Sequence, residues 1–421
     1  MRILWFTNTP CGALKTLTGQ NLMGGGWLSA LADHLKNIEG IDLHIAFYWG
    51  KQIPHFTIDG ITYHPVLREG DDSRLGRYVI RLKSQFAYGG SEKQVQRLLD
   101  VVNALEPDII HIHGSEENFG LIAQHIDPDR IVLSIQGLLG PYFEKLYSGY
   151  SKSSILRKEL FLKKILFEGE NANCRRFKLR VQEERIMFQH IHNIIGRTDW
   201  DKNCSLALNP SRHYYVVNEL LRSEFYQTEW LPVINRTSYI IVTTVSNGLY
   251  KGVETIYKTA DILKRANFDF VWKVIGVSSS DSIVKLTEKI LGFGADGINI
   301  EFLGRRDASG MIEELCTSDI FVQVSHIENS PNSLCEAMIL GMPIIASFAG
   351  GTSSILSDKE DGILIQDGDP FCLAGTIISS RSEYETMIKM GKNARNKALE
   401  RHNHQNVANE LLNVYNSVIN G

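Results

Sequence analysis

Two glutamates separated by a short polar turn are the residues of this chain best suited to chemistry. Glu328 and Glu336 stand eight residues apart, and the turn 329–333 lies between them. The apolar run 320–324 precedes them, and apolar residues recur at helical spacing through 334–340. The pattern predicts a strand, a turn and the start of a helix.

The start of that helix is predicted to bind an anion. Pro331 suits the first helical position, and Ser330 suits the N-cap before it. Backbone N–H groups at such a start are free and attract anions. They belong here to Asn332, Ser333 and Leu334. Glu336 would stand about 8 Å along the helix axis from Pro331, at about 1.5 Å per residue. An anion cradle between two hydrogen-bond acceptors, Glu328 and Glu336, fits a nucleotide diphosphate sugar.

The size and charge of the chain narrow the classes of function. Its 421 residues suffice for two domains or more. A content of 43% hydrophobic and 22% charged residues is ordinary for a soluble globular protein. The formal net charge of -4 gives no support for nucleic-acid binding.

The sequence carries no pattern typical of secretion or of a membrane span. The run 1–7 is too short and too soon polar for a signal peptide, and it is predicted to form the first strand. No uninterrupted apolar run reaches transmembrane length. The six cysteines lack a C-x2-C pair, which favours reduced, buried thiols. We therefore predict a cytoplasmic protein.

Short apolar strands alternate with amphipathic helical stretches in both halves of the chain. This alternation predicts an α/β protein with two doubly wound, Rossmann-like domains. The predicted strands are 2–7, 42–48, 108–112, 131–135, 193–196 and 214–217, followed by 239–244, 270–275, 299–302, 319–324, 343–346 and 363–365. The predicted helices of the first half are 26–37, 92–105, 118–126, 155–167, 179–192 and 199–207.

The domain boundaries follow from the same alternation. We predict an N-terminal domain over 1–228, a linker over 229–238 and a C-terminal domain over 239–403. Residues 404–421 carry a further amphipathic stretch. Ligands of such sheets bind outside the carboxyl ends of the strands, so we expect two facing domains with a ligand cleft between them.

Polar groups at the strand ends of the first half are candidates for sugar or acceptor contact. His111 and His113 share one face of a strand. We interpret His111 as a core histidine, whereas His113, at the carboxyl end, is equally consistent with a core or a functional role. Gln136 ends the next strand, and its amide can donate and accept but cannot relay a proton.

A run of glycines, 24–26, precedes a predicted helix in the first half. It would either let a ligand approach the backbone closely or simply form a loop that caps the helix. The run lies too far from the first strand, and has the wrong spacing, for a dinucleotide site.

The ordered set of motifs resembles the family 4 retaining glycosyltransferases, which have the GT-B fold. Glu328 and Glu336 match the E-x7-E signature of that family. The resemblance covers nearly the whole chain. The further matching segments are 107–113, 251–252, 302–304, 341–346, 350–351 and 361–364.

The resemblance implies front-face transfer of a sugar, assisted by the leaving diphosphate and with retention at the anomeric carbon. Lys251 and the helix start would stabilise charge on the diphosphate. Glu328 would hold the sugar, and Glu336 would accept from the ribose hydroxyls. The donor would also contact glycines at three positions, which are Gly25, Gly26 and Gly304. The family crosses back to its first domain with a C-terminal helix, and 404–421 is similar. No cofactor is expected beside the nucleotide sugar.

Two positions depart from the family pattern. Many members have a His at the position of Gln136, where it contacts the transferred sugar. Members usually also carry an Arg five residues before the Lys, where this chain has Ser246. The clamp on the diphosphate would then lack one cation, and Arg305 or Arg306 is a candidate replacement.

Two Asp-x-Asp pairs resemble the metal ligands of glycosyltransferases with the other common fold. Asp199 and Asp201 form the first pair, and Asp367 and Asp369 form the second. Both pairs stand at predicted helix starts, where capping and the helix dipole favour acidic residues. We therefore predict no metal site.

The segment 155–167 combines large apolar residues with arginine and lysine. A basic amphipathic helix of this kind can lie on an anionic membrane surface, which would suit a lipid-linked acceptor. The alternative is a helix docked on the domain core with solvated lysines. The predicted location at the inner membrane face depends on this helix lying on the membrane surface.

The sequence therefore predicts a hexosyl- or N-acetylhexosaminyl-transferase acting on a glycan or lipid-linked glycan, in cell-surface polysaccharide synthesis. A nucleotide-sugar epimerase of the same fold is one alternative, and turnover of the donor alone would distinguish it. A non-catalytic sugar-binding subunit is the other, and it would bind donor without turnover.

Overall fold

The computed structural model describes residues 1–19, 26–69, 76, 78–79, 82, 91–158, 168–233 and 236–420. The chain divides into two compact units. The N-terminal unit comprises Met1–Phe143, Glu159–Leu220 and His402–Gly421. The C-terminal unit comprises Glu144–Lys158 and Leu221–Arg401.

Strands and helices alternate along most of the chain. The strands are β1 (Arg2–Thr7), β2 (Asp42–Trp49), β3 (Phe56–Ile58), β4 (Ile61–Leu67), β5 (Ile109–His113), β6 (Ile131–Ser134), β7 (Asn193–Gly196), β8 (His213–Val216), β9 (Tyr239–Thr244), β10 (Phe270–Ile275), β11 (Ile300–Gly304), β12 (Ile320–Gln323), β13 (Ile344–Phe348) and β14 (Ile363–Gln366). The α-helices are α1 (Leu14–Thr18), α2 (Gly26–Leu35), α3 (Glu92–Leu105), α4 (Leu139–Glu144), α5 (Lys152–Lys158), α6 (Glu170–His190), α7 (Asp199–Leu208), α8 (Ser223–Tyr226), α9 (Val253–Arg265), α10 (Ser282–Leu291), α11 (Ala308–Cys316), α12 (Asn332–Leu340), α13 (Thr352–Ile355), α14 (Pro370–Ser382), α15 (Tyr384–Arg401) and α16 (His404–Asn420). Short 3-10 helices span Cys11–Ala13, Asn118–Gln124, Pro128–Arg130, Leu249–Lys251 and Ala295–Gly297.

The N-terminal unit is built on an eight-stranded sheet in the order β3-β4-β2-β1-β5-β6-β7-β8. Its strands pair in parallel except for β3, which pairs antiparallel with β4. Successive residues of β1 are buried on opposite faces, because Trp5 belongs to one apolar core and Phe6 to another. Burial on both faces explains why these strands read as continuous apolar runs.

The C-terminal unit has a six-stranded parallel sheet in the order β11-β10-β9-β12-β13-β14. Here too β12 alternates between two cores, with Val322 in one and Phe321 in the other. The strand order reverses direction between β9 and β12, and in the N-terminal unit between β1 and β5. Open α/β sheets bind ligands at such switch points, outside the carboxyl ends of the strands.

Most predicted strands and helices are present within a residue or two. The helix predicted over 179–192 is longer, because α6 begins nine residues earlier, at Glu170. The pair β3 and β4 was missed, although Asp59 and Gly60 between them are a typical hairpin turn. The helix predicted over 118–126 is a 3-10 helix over Asn118–Gln124. Residues 159–167 of the predicted helix 155–167 lie outside the described residues, and the preceding part belongs to α5.

The unit boundaries differ from the predicted domain boundaries at 221–238, at 144–158 and at 402–403. Residues from Leu221 onward group with the C-terminal unit, because Leu221, Phe225 and Trp230 are buried in its core. The segment 144–158 also groups with that unit, since Tyr150 and Ile155 are buried there. Such long-range packing has no local sequence signal. The C-terminal helix α16 groups with the N-terminal unit.

Candidate active site

Lys251 and Glu328 form an ion pair at the carboxyl edge of the C-terminal sheet. Lys251 ends the 3-10 helix after β9, and Glu328 stands in the loop after β12. Lys251 Nζ donates to Glu328 Oε1 at 2.6 Å, and both side chains are largely buried. The pair therefore joins the two loops that flank the switch point of this sheet.

The local electrostatics keep Lys251 charged. Burial acts to lower the pKa of Lys251, but Glu328 and Tyr250 outweigh it, so the pKa lies above its ordinary value. A permanently protonated ammonium with three donors can face an anionic ligand while it still contacts a carboxylate.

Two glycines allow the loops of the site to approach one another. Gly252, directly after Lys251, has φ +76, and a Cβ there would lie 2.1 Å from the carbonyl oxygen of Val324. Gly350 has φ +55, and a Cβ there would lie 1.9 Å from the carbonyl oxygen of Glu328. That oxygen accepts from the amide of Gly351 at 2.9 Å. Both positions therefore require glycine. The close approach at Gly350 and the hydrogen bond from Gly351 hold the backbone of Glu328 in place.

Helix α12 begins one residue later than predicted. Pro331 occupies the N-cap position with extended ψ 112, so the assignments of Pro331 to the first turn and Ser330 to the N-cap were wrong. The Pro331 carbonyl accepts from the amides of Leu334 at 3.0 Å and Cys335 at 3.2 Å. Leu334 therefore cannot offer a free N–H to an anion. In the described part of the chain, the amides of Asn332 and Ser333 have no acceptor and remain available.

Glu336 forms a two-pronged ion pair with Arg222, a residue that the sequence analysis missed. Arg222 Nε donates to Glu336 Oε1 and its NH2 group donates to Oε2, each at 2.8 Å. Burial raises the pKa of Glu336 above its ordinary value, and Arg222 opposes that shift. The two residues are 114 positions apart, so no local pattern could have paired them.

One further residue of the C-terminal unit was predicted to contact the nucleotide sugar, and it lies at the carboxyl end of β11. Gly304 ends that strand, and its carbonyl accepts from the amide of Gly276 at 2.8 Å. Arg305 and Arg306 follow it, and both are exposed. Ser246, at the position of the usual family arginine, is also exposed.

In the N-terminal unit, His111 and His113 stack with ring centroids 3.8 Å apart. His111 has a partner at each ring nitrogen, Tyr415 and Ser134, both at 2.6 Å. His111 is thus a satisfied core histidine, as predicted. Burial is the main cause that lowers its pKa, to about 3.

His113 is buried, but its two ring nitrogens have no hydrogen-bond partner among the described residues. It lies against Trp5 and Trp27, with ring centroids 4.5 and 5.8 Å away. Burial, followed by His111 and Arg197, lowers the pKa of His113 well below its ordinary value. The ring is therefore a neutral group at the carboxyl end of β5.

The other predicted residues of the N-terminal unit lie close to that strand end. Gln136 Nε2 donates to the backbone carbonyl of His113 at 3.0 Å, so its amide positions the strand end. Gly26 is the first residue of α2, and Gly25 lies outside the described residues.

Glu116 is a second titratable group at this edge to which the sequence analysis gave no role. It accepts from Asn8 Nδ2 at 3.3 Å, and its backbone carbonyl accepts from Arg180. Burial raises the pKa of Glu116 to about 7. Its position beside Asn8 is the switch point of the N-terminal sheet, between β1 and β5.

Both Asp-x-Asp pairs contribute to helix starts, as predicted. Asp201 closes a capping box with Thr198 at the start of α7. Asp369 is the N-cap of α14 and accepts from the amides of Phe371 and Cys372. Within the described residues, no helix is both long and apolar enough to cross a membrane.

Comparison with known proteins gives matches at the level of sequence and of fold. Residues 229–397 match the family model for glycosyl transferases group 1. The N,N'-diacetylbacillosaminyl-diphospho-undecaprenol alpha-1,3-N-acetylgalactosaminyltransferase of Campylobacter jejuni is 28% identical over 217 residues. That alignment covers 51% of this chain and 54% of the relative, so the chain spans about half the length of this curated protein.

Solved structures match over nearly the whole chain. Sucrose-phosphate synthase from Thermosynechococcus elongatus has a TM-score of 0.71 at 15% identity, covering 99% of this chain and 98% of that one. Anabaena HepE in complex with UDP-glucose has a TM-score of 0.64 at 14% identity, covering 99% and 100%. These likenesses, together with the two parallel sheets, confirm the predicted GT-B fold.

Proposed function

We propose that this chain, a glycosyltransferase of the GT-B fold, moves a sugar from a nucleotide diphosphate sugar to a glycan or lipid-linked glycan and retains the anomeric configuration. The observation that carries the proposal is the Lys251–Glu328 pair beside the start of α12. It combines a charged donor, a buried carboxylate and free amides at the switch point of one sheet.

The diphosphate would lie against the start of α12. Asn332 and Ser333 offer their amides, and Lys251 has two N–H donors left beside the one directed at Glu328. Negative charge grows on the leaving diphosphate as the glycosidic bond breaks. These donors are already oriented, so they stabilise that charge without reorganisation.

Glu328 and Glu336 would hold the two ends of the donor. Glu328 accepts from the sugar hydroxyls, and its loop is fixed by the hydrogen bond to Gly351. Glu336 accepts from the ribose hydroxyls, because each carboxylate oxygen keeps a lone pair beside its bond to Arg222. Arg222 orients that carboxylate and opposes the rise that burial causes in its pKa.

The substrate classes rest on similarity. HepE binds UDP-glucose, which supports a nucleotide diphosphate sugar as donor. The Campylobacter relative is named for an undecaprenol-linked acceptor, which supports a lipid-linked acceptor here. A role in surface polysaccharide synthesis is part of the same proposal. A hexosyl or N-acetylhexosaminyl group as the transferred sugar, and membrane contact through 155–167 at the inner face, belong to the same proposal.

The first test is a binding and turnover series. A panel of nucleotide diphosphates, followed by thermal shift, identifies the base, and donor turnover is then measured with and without glycan acceptors. Turnover without acceptor would indicate an epimerase instead, and binding without any turnover would indicate a non-catalytic subunit.

The second test separates the sugar end from the nucleotide end. We expect Glu328→Gln to reduce transfer about a hundredfold or more, since it holds the reacting sugar. Affinity for the sugar-free nucleotide should not fall, because the substitution leaves Lys251 with one carboxylate fewer to neutralise it. A matching loss of nucleotide affinity would contradict the role assigned to Glu328.

A further inference from the structure

His326, two residues before Glu328, has a buried side chain between two carboxylates. Its Nε2 lies 2.8 Å from Glu254 Oε1, and its Nδ1 lies 3.3 Å from Asp367 Oδ2. Glu254 stands in the first turn of α9, three residues after Lys251, and Asp367 directly follows β14. The imidazole therefore bridges two elements that flank its own loop.

The backbone of His326 makes a third connection. Its amide donates to the carbonyl of Tyr250 at 2.8 Å, next to Lys251 in the chain. One residue thus contacts the loop that carries Lys251, belongs to the loop that carries Glu328, and holds the loop after β14. The 2.6 Å contact between Lys251 and Glu328 depends on how these loops sit relative to one another.

The charged groups around His326 are mostly acidic. Glu254 and Asp367 face it directly, and Lys145 lies 3.6 Å from Asp367. Tyr150, on the same segment as Lys145, feels the charge of Glu254, and burial raises the pKa of this phenol above its ordinary value. Two carboxylates facing one ring can both accept a hydrogen bond from it only when both ring nitrogens carry a proton.

We propose that His326 is a positioning residue whose imidazolium bridges Glu254 and Asp367 and so fixes the Lys251 and Glu328 loops for transfer. The inference rests on the proposed function for its effect on the reaction, and on geometry alone for the bridge. His326 does not itself contact the reacting atoms in this account.

The bridge should depend on pH. Burial acts to lower the pKa of His326, but Glu254 and then Asp367 outweigh it, so the pKa lies above its ordinary value. A raised pKa means that the imidazolium is complete below about pH 6.5, the ordinary value, and is lost as pH rises through the higher folded value. Above that point the ring of His326 can donate to only one of the two carboxylates, and transfer should decline.

Two substitutions separate the two contacts. His326→Gln places an amide donor near the position of Nε2, toward Glu254, and His326→Asn places one near Nδ1, toward Asp367. Neither amide titrates. We expect each to lower kcat about tenfold or more at neutral pH and to remove the alkaline decline, because small misplacements of reacting groups are costly. Affinity for the sugar-free nucleotide should stay within about twofold, as for a residue that acts on the transition state.

Asp367→Asn gives the sharper test, with Asp369→Asn as its matched control in the same loop. Asp369 caps α14 rather than facing His326, and asparagine can replace it as a cap. Removing the charge of Asp367 should lower the titration midpoint of His326 by about one pH unit. The midpoint is read by NMR of 13C-labelled histidine, with the His326→Gln spectrum used for assignment.

The outcomes separate the bridge from the proposed function. The inference is supported if Asp367→Asn lowers both the titration midpoint of His326 and the pH at which transfer declines on the alkaline side. Asp369→Asn should change neither. An unmoved alkaline limb, or equal effects of the two substitutions, would overturn it. If Asp367→Asn lowers the midpoint as expected but the wild-type protein shows no sugar transfer, the bridge is supported and the proposed function is overturned instead.

Discussion

The carboxyl edges of the two sheets carry opposite kinds of titratable groups. In the C-terminal unit, the strand ends and α12 present charged groups in pairs, with Lys251 joined to Glu328 and Arg222 joined to Glu336. In the N-terminal unit, burial lowers the pKa of His113 and raises that of Glu116 to about 7, so these groups tend toward their neutral forms.

On the proposed function, this difference matches each edge to one kind of chemical group in the substrates. A diphosphate brings negative charge that changes during the reaction, and charged donors already held in place by their partners stabilise that charge without reorganisation. A sugar hydroxyl is neutral, and it is best met by neutral donors and acceptors. On the proposed function, the C-terminal edge would serve the donor, and the N-terminal edge would serve the neutral acceptor or transferred sugar.

The largest expected effect tests the charged groups at the edge of the C-terminal sheet. Lys251→Ala should lower kcat about a hundred- to a thousandfold, while the affinity for donor falls much less, because the ammonium matters most when charge grows on the leaving group. Steady-state kinetics at saturating donor measure this. Lys285→Ala is a suitable control, since that lysine is exposed and its ion pair, among the residues that the structure describes, is with Glu288 on its own helix. An unchanged kcat would contradict the role of Lys251 in stabilising charge on the leaving diphosphate.

The next effect concerns the second charged pair. Glu336→Ala should weaken binding of the free nucleotide diphosphate by about 1.5–3 kcal/mol, the value of a hydrogen bond to a charged group. It should also destabilise the fold, because the partly buried Arg222 would lose its partner. Isothermal titration calorimetry and chemical denaturation separate the two losses.

A double variant shows which loss matters for binding. Replacing both Arg222 and Glu336 by methionine removes the pair together, so we expect stability to recover relative to Glu336→Ala. Nucleotide affinity should stay low, because no carboxylate remains for the ribose. Recovery of affinity in the double variant would show that Glu336 acts only through stability.

How far the sequence predicted these edges depends on the separation of the residues involved. Alternating apolar runs indicated the strands that place Lys251 and Glu328 at one edge, because that signal is local. The Arg222–Glu336 pair and the His326–Glu254 contact span 114 and 72 residues, and only folding brings them together. The start of α12 was misplaced by one residue because proline suits both the first turn and, as Pro331 shows, the position before it.

A smaller effect tests the neutral groups at the edge of the N-terminal sheet. His113→Phe keeps an aromatic ring between Trp5 and Trp27 but removes both nitrogens, which have no partner among the described residues. We expect the acceptor KM to rise by less than about tenfold with nucleotide affinity unchanged, as for loss of one neutral hydrogen bond. Since the pKa of His113 is lowered, its loss should not alter the pH profile above pH 6. A changed nucleotide affinity would place His113 with the donor instead.

The smallest expected effect is that of removing divalent metal. Both Asp-x-Asp pairs supply helix starts, and Lys251 with the amides of Asn332 and Ser333 already faces the proposed diphosphate position. Mg²⁺ requires several oxygen ligands in octahedral geometry, whereas Asp201 and Asp369 are engaged as helix caps. Excess chelator should therefore change the transfer rate by less than about twofold. The measurement compares transfer in excess chelator with transfer in added Mg²⁺ or Mn²⁺. Ser246 is the weak point, since the exposed serine supplies no cation where the family usually has an arginine. Activity lost on chelation and restored by metal would mean that the charge of the donor edge is completed by an ion carried on the diphosphate, and the contrast between the two edges would then be incomplete without it.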